Sequence, residues 1–174
     1  MKQYLRQEER YEFAKDFLAK LGYPPVLDVG CGKLFFEQWK GYKGYVIGID
    51  YYKMPNYHNA CGRNYYKENR DVIRADANML PIRSNSVLPV DFGCSKMYVD
   101  LEKENLDKIV GIGFGGGIIR ECVRVAKHFY LRLSDRPEDV KKIEKKTAVK
   151  CVKRIEIFFK NRTIDIYQKK NEES

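Results

Sequence analysis

Short apolar runs that stop at glycine or an acid alternate along this chain with stretches whose apolar residues recur at helical spacing. Seven runs predict strands: residues 26–29, 45–50, 71–77, 86–92, 129–133, 151–159 and 163–167. The first, Val26-Leu27-Asp28-Val29, is the nearly continuous kind that a strand buried on both faces shows. Between the runs, residues 3–21 place Phe13, Ala14, Phe17, Leu18 and Leu21 on one helical face, and Gly22 with Pro24-Pro25 stops that helix. A short helix is predicted over 34–40, another over 97–110, and a third over 115–127 with Ile118, Ile119, Cys122, Val123 and Ala126 as its apolar face. Pro137 opens a further helix, with Glu138 and Asp139 matched to the positive end of its dipole. Inside the fourth run Pro89 removes a ladder donor, which predicts a bulge or displaced pairing. The alternation predicts an α/β domain of helices layered on a mostly parallel sheet.

The chemistry concentrates where the first three strands end. Val29 runs into Gly30-Cys31-Gly32, and glycines just past a strand let the backbone approach a ligand with no Cβ in the way. Asp28 is an acceptor beside that approach. The second strand ends in Asp50, placed to accept hydrogen bonds from both hydroxyls of a ribose. The third reaches Asp76. Acids at successive C-terminal strand ends lie where open α/β sheets bind ligands.

Taken together these residues resemble the class I S-adenosylmethionine (SAM) dependent methyltransferases. Residues 26–32 are similar to that family's first motif, and Gly48-Ile49-Asp50 to its ribose-binding second motif. Asp76-Ala77-Asn78-Met79-Leu80-Pro81-Ile82 resembles the D-A-x-x-L-P-F adenine motif of members that act on small molecules. The resemblance spans roughly residues 26–170; it departs at Leu34, where the family often has a third glycine. It implies a three-layer α/β/α domain with strand order 3-2-1-4-5-7-6, closed by a C-terminal antiparallel hairpin around Asn161-Arg162. It also implies SAM as cofactor. Gly30, Cys31 and Gly32 would hold the methionine end by backbone contact, with Asp28 near its amino group. Asp50 would take the ribose, Tyr51 would pack on the adenine, Asp76 would accept from the adenine amine and the Ala77 amide would donate to the ring. Phe92, at the close of the fourth strand, joins this cofactor set. Asp91 beside it is the candidate catalytic base for an acceptor that carries a proton.

Composition narrows the setting. A chain of 174 residues with 44% hydrophobic and 13% aromatic content reads as one ordered domain: an N-terminal helix over 1–24, a cofactor-binding core over 25–134, and a helix plus hairpin over 135–174. The first ten residues lack the apolar core of a signal peptide, and no apolar run reaches membrane-spanning length, so a cytoplasmic protein with no membrane partner is expected. Five scattered cysteines and two histidines build no zinc spacing, and no metal is expected. A net charge of +9 makes nucleic acid a candidate acceptor alongside small molecules. Lys141, Lys142, Lys145, Lys146, Lys150, Lys153 and Arg154 supply a basic stretch that reads first as a solvated helix face plus strand edge, ahead of a nucleic-acid contact. Tyrosines and bases interleave over residues 51–70, suited either to clamping a planar acceptor or to an ordinary surface loop.

Three rival readings remain. Gly111-Ile112-Gly113-Phe114-Gly115-Gly116 fits a dinucleotide fingerprint, with Asp135 beyond the next strand, but too little chain follows for an NAD(P) domain. Asp91-Phe92-Gly93-Cys94-Ser95 is faintly similar to the nucleophile segment of RNA cytosine methyltransferases, without its proline, so Cys94 reads as structural. The fold could also serve as a non-catalytic binding or scaffold protein, which the three intact acids oppose.

Overall fold

A computed structural model describes residues 9–32, 34–50, 69–92, 116–134, 139–157 and 162–170. The first helix, α1 (Arg10–Lys20), is followed by β1 (Val26–Val29), a one-turn α2 (Phe35–Gln38), β2 (Val46–Asp50), β3 (Arg70–Arg74) and β4 (Leu88–Asp91). Then come α3 (Gly116–Val125), β5 (Phe129–Ser134), α4 (Asp139–Lys146), β6 (Val149–Glu156) and β7 (Thr163–Lys169). The predicted helix over 97–110, Tyr51, Cys94 and the glycines from Gly111 to Gly115 lie outside the described residues. Among the described residues no helix is long and apolar enough to cross a membrane.

The strands form one seven-stranded sheet in the order β3-β2-β1-β4-β5-β7-β6. Neighbours pair in parallel from β3 through β5, and β7 runs antiparallel to both β5 and β6. This is the order and the closing hairpin that the motif resemblance implies. Strand order reverses direction between β1 and β4, which leaves a crevice at their C-terminal ends. All four residues of β1 are buried, because it lies between β2 and β4 with a hydrophobic layer on each face.

Side-chain alternation sorts the core into two layers. Val26, Val46, Leu88, Val90, Leu131, Ile164 and Ile166 face one layer, with Tyr11, Ala14 and Leu18 of α1 and Phe35 of α2. Leu27, Val29, Ile49, Tyr130 and Tyr167 face the other, with Ile118, Ile119, Cys122 and Val123 of α3 and Ile143 of α4. On α1 the buried positions are Tyr11, Ala14 and Leu18, the i, i+3, i+7 stripe of an amphipathic helix. Tyr11 meets Trp39 and Phe92 edge-on, with ring centroids 5.6 and 5.4 Å apart. Aromatic contacts of this kind add to simple area burial.

Pro89 corrects an expectation. No bulge occurs there: Val26↔Leu88, Leu27↔Pro89 and Asp28↔Val90 are in regular register. Alternate residues of a parallel strand bond to alternate neighbours. The Leu88 amide donates to the Pro25 carbonyl at 2.8 Å, so Pro89 turns its missing N–H toward β5, where pairing starts only at Val90↔Leu131. The register shift among the described strands falls instead in β6, between Cys151 and Lys153. The fourth strand is accordingly shorter than the predicted 86–92, and α2 is shorter than 34–40.

Candidate cofactor site

The loop after β1 turns sharply, with Gly30 at φ +71° and Gly32 at φ +64°, in the left-handed region that favours glycine. The Gly30 and Cys31 amides both donate to the Ile49 carbonyl, at 2.8 and 3.1 Å. The Gly32 amide donates to Asp50 Oδ2 at 3.0 Å. A Cβ built on Gly32 would meet nothing within 4 Å, so the loop presents open backbone. Gly48 is a glycine for a different reason. A Cβ there would sit 2.9 Å from both Cys31 Sγ and the Phe35 ring, so only glycine lets the loop and α2 pack down onto β2. Cys31 itself is buried, which pushes its thiol well up and leaves it un-ionised at neutral pH. Its side chain is core.

The rim continues through the next two strand ends. The Ala75 amide donates to the Asp50 carbonyl at 3.1 Å, tying the loop after β3 to the end of β2. Asp76 is exposed; its Oδ1 accepts from the Asn78 amide at 2.8 Å and from Asn78 Nδ2 at 2.9 Å, an Asx turn that holds the loop's entry. Ala77 is half-buried beside it. Hydrogen bonds therefore join the loop after β1, the end of β2 and the loop after β3 into one continuous edge. Asp50 is its centre.

Asp28 is 0% exposed. Its Oδ2 accepts from Trp39 Nε1 at 2.7 Å, while among the described residues no donor satisfies the buried Oδ1. Burial raises its pKa to about 7; the Trp39 hydrogen bond, Arg10 and Tyr11 oppose that rise, and the nearby Asp91 adds to it. A buried carboxylate oxygen without a partner, next to open glycine backbone, is suited to receive a cationic ligand group.

The Phe92 side chain is 1% exposed and packs against Tyr11 of α1, while its carbonyl accepts from Arg10 Nη1 at 3.4 Å. Asp91 is 5% exposed and turned to the opposite face of the sheet from Asp28, where Tyr130 donates a hydrogen bond to its Oδ2 at 3.1 Å.

Asp91 also begins an arrangement that sequence reasoning missed. Asp91 of β4 is in register with Arg132 of β5, Arg132 with Asp165 of β7, and Asp165 with Arg154 of β6. Acid and base thus alternate across four neighbouring strands. Arg154 grips Asp165 with Nε at 2.8 Å and Nη2 at 3.3 Å, and the Thr163 and Tyr167 hydroxyls donate to the same carboxylate at 3.0 and 3.4 Å. The only local trace in the sequence is the alternation Thr163-Asp165-Tyr167 on an otherwise apolar strand.

This fold is that of the class I SAM-dependent methyltransferases. A 1,6-didemethyltoxoflavin N1-methyltransferase from Burkholderia thailandensis, solved with 1,6-didemethyltoxoflavin and S-adenosylhomocysteine (SAH) bound, superposes with a TM-score of 0.61 at 17% identity, over 94% of this chain and 80% of that one. The magnesium protoporphyrin IX methyltransferase of Synechocystis PCC 6803, solved with SAM, gives 0.64 at 14% identity, over 94% and 79%. The N-methyltransferase NodS of Bradyrhizobium japonicum WM9 gives 0.62 at 14% identity, over 94% and 96%. No family model matches the chain, and no curated protein matches its sequence.

Proposed function

We propose that this protein transfers the methyl group of SAM to a small-molecule acceptor. The observation that carries the reading is the joined edge of three strand ends, in which Asp50 binds the glycine-loop amide while Asp28, at the end of β1, keeps a buried oxygen without a hydrogen-bond donor among the described residues. Asp28 Oδ1 would accept from the ammonium of the cofactor's methionine end, and the Gly30–Gly32 backbone would line it. Asp50 would take the ribose hydroxyls, with Asp76 and the Ala77 amide at the adenine. Tyr51 is assigned to the adenine face on the motif resemblance alone.

SAM supplies a methyl already activated by its sulfonium. The protein's share is to hold that methyl in line with the acceptor and to keep water out, with no acid or base obligatory. Asp91 is the proposed base where the acceptor carries a proton. The small-molecule acceptor rests on the style of the adenine motif and on two of the neighbours named above, whose names give 1,6-didemethyltoxoflavin and magnesium protoporphyrin IX as the compounds they methylate. Incubation with methyl-labelled SAM and a cell extract tests both points. Label is expected in the acid-soluble, low-mass fraction, and to fall about 100-fold with Asp91→Asn if that carboxylate takes a proton. Label in a nuclease-sensitive precipitate would overturn the small-molecule reading, and undiminished transfer by Asp91→Asn would remove the base.

A further inference from the structure

The helix α3 carries two stripes. One is apolar and packs into the core; the other, Gly117, Glu121 and Arg124 at i, i+4 and i+7, faces the loop that bears the adenine motif. Glu121 Oε2 accepts from the Leu80 amide at 2.8 Å, and Arg124 Nη2 donates to the Leu80 carbonyl at 2.9 Å. The two side chains thus satisfy both backbone groups of Leu80, as a neighbouring strand would. Arg124 Nη1 reaches on to the Ile82 carbonyl at 2.9 Å and to Ser84 Oγ at 3.2 Å. The pair is locked to itself by two further bonds, Nε to Oε1 and Nη2 to Oε2, each 2.7 Å. One turn earlier the loop lies so close that a Cβ on Gly117 would collide with the Asn78 carboxamide. Asn78 is the residue whose amide and side chain fasten Asp76.

From this geometry we propose that Glu121 and Arg124 are positioning residues for the adenine end of the cofactor, a reading that rests on the SAM site described above. They touch no cofactor group. Their work is to hold residues 76–84 against α3, so that Asp76 and Ala77 stand at a fixed height above the end of β3. Loop residues without secondary structure need such an external clamp, since a shift of about 1 Å is enough to weaken recognition strongly. The planar fork of arginine meets several acceptors at once, which a lysine's point charge cannot reproduce.

The test compares two ligands, SAH and 5′-methylthioadenosine, which keeps the nucleoside but lacks the amino-acid end. Arg124→Met and Arg124→Lys are each expected to weaken both ligands by the same factor, on the order of 10-fold or more. Asp28→Asn is expected to weaken SAH while leaving 5′-methylthioadenosine unchanged. Circular dichroism and thermal melting select the folded variants; Arg124→Lys keeps the positive charge beside Glu121 while losing the fork, so it decides the matter if Arg124→Met fails to fold. A folded Arg124 variant that binds both ligands as the wild type does would overturn the assignment, as would one that loses SAH alone. If the wild type binds neither ligand, the cofactor reading itself fails and takes this assignment with it.

Discussion

Asp165→Ala should lose roughly 3–4 kcal/mol of folding stability. Asp165 is fully buried, and its carboxylate accepts from Arg154, Thr163 and Tyr167. Removing it leaves two hydroxyls inside the sheet's packing layer without an acceptor, each at about 1–3 kcal/mol, besides the space vacated. Arg154 is partly exposed and can turn to water, so its own loss counts for less. A domain of this size holds only about 5–15 kcal/mol in total, so the variant should unfold at a much lower urea midpoint. Asp165→Asn, which retains an acceptor oxygen, should fall between the two. An unfolding free energy for Asp165→Ala within about 1 kcal/mol of the wild type would show that the cross-strand network contributes little.

Asp28→Asn should move stability and binding in opposite directions. The carboxyl has a folded pKa of about 7 against an ordinary 3.8, because burial disfavours its charge. Between those values the folded state binds more protons than the unfolded chain, so this group lowers stability as pH rises. The penalty is absent below about pH 4 and complete above about pH 7, where it reaches roughly 4 kcal/mol at most. Asparagine does not ionise, so the variant's stability should lose that slope between pH 4 and 7. At pH 8 it should exceed the wild type by about 1–3 kcal/mol after allowing for one buried amide N–H. SAH affinity should fall about 10- to 100-fold, because a neutral amide replaces the charged partner of the ligand's ammonium. Wild-type affinity should climb as pH rises toward about 7, while that of Asp28→Asn stays flat. Urea melts and calorimetry across pH 5–8 check both halves; parallel stability profiles for the two proteins would mean Asp28 ionises normally.

The features legible in the sequence are those encoded locally or by a repeated motif. Strand ends with Asp28, Asp50 and Asp76 stand out because an acid interrupts an apolar run, and Gly30 and Gly32 because a positive φ favours glycine. Seven runs announce seven strands, while their order follows from likeness to a family and not from periodicity. Pro89 misleads because the harm done by a proline depends on which neighbour its nitrogen faces, a fact of register that hydropathy does not carry. Phe92 is expected at the cofactor from its position at a strand end; alternation turns its side chain toward α1 with Leu88 and Val90. The charge row from Asp91 to Arg154 joins strands far apart in the chain, so no window reveals it. Glu121 and Arg124 read as an ordinary i, i+3 surface pair, and only the fold brings Leu80 to them.

The central claim is that the edge formed by Asp28, Gly30–Gly32, Asp50 and Asp76 binds SAM. Its most direct test is calorimetric titration of the wild-type protein with SAH and, separately, with NAD. Micromolar, one-to-one binding of SAH with none of NAD is the predicted result. Binding of NAD alone would move the site to the glycine run at 111–116, and binding of neither would leave a methyltransferase fold that serves as a scaffold.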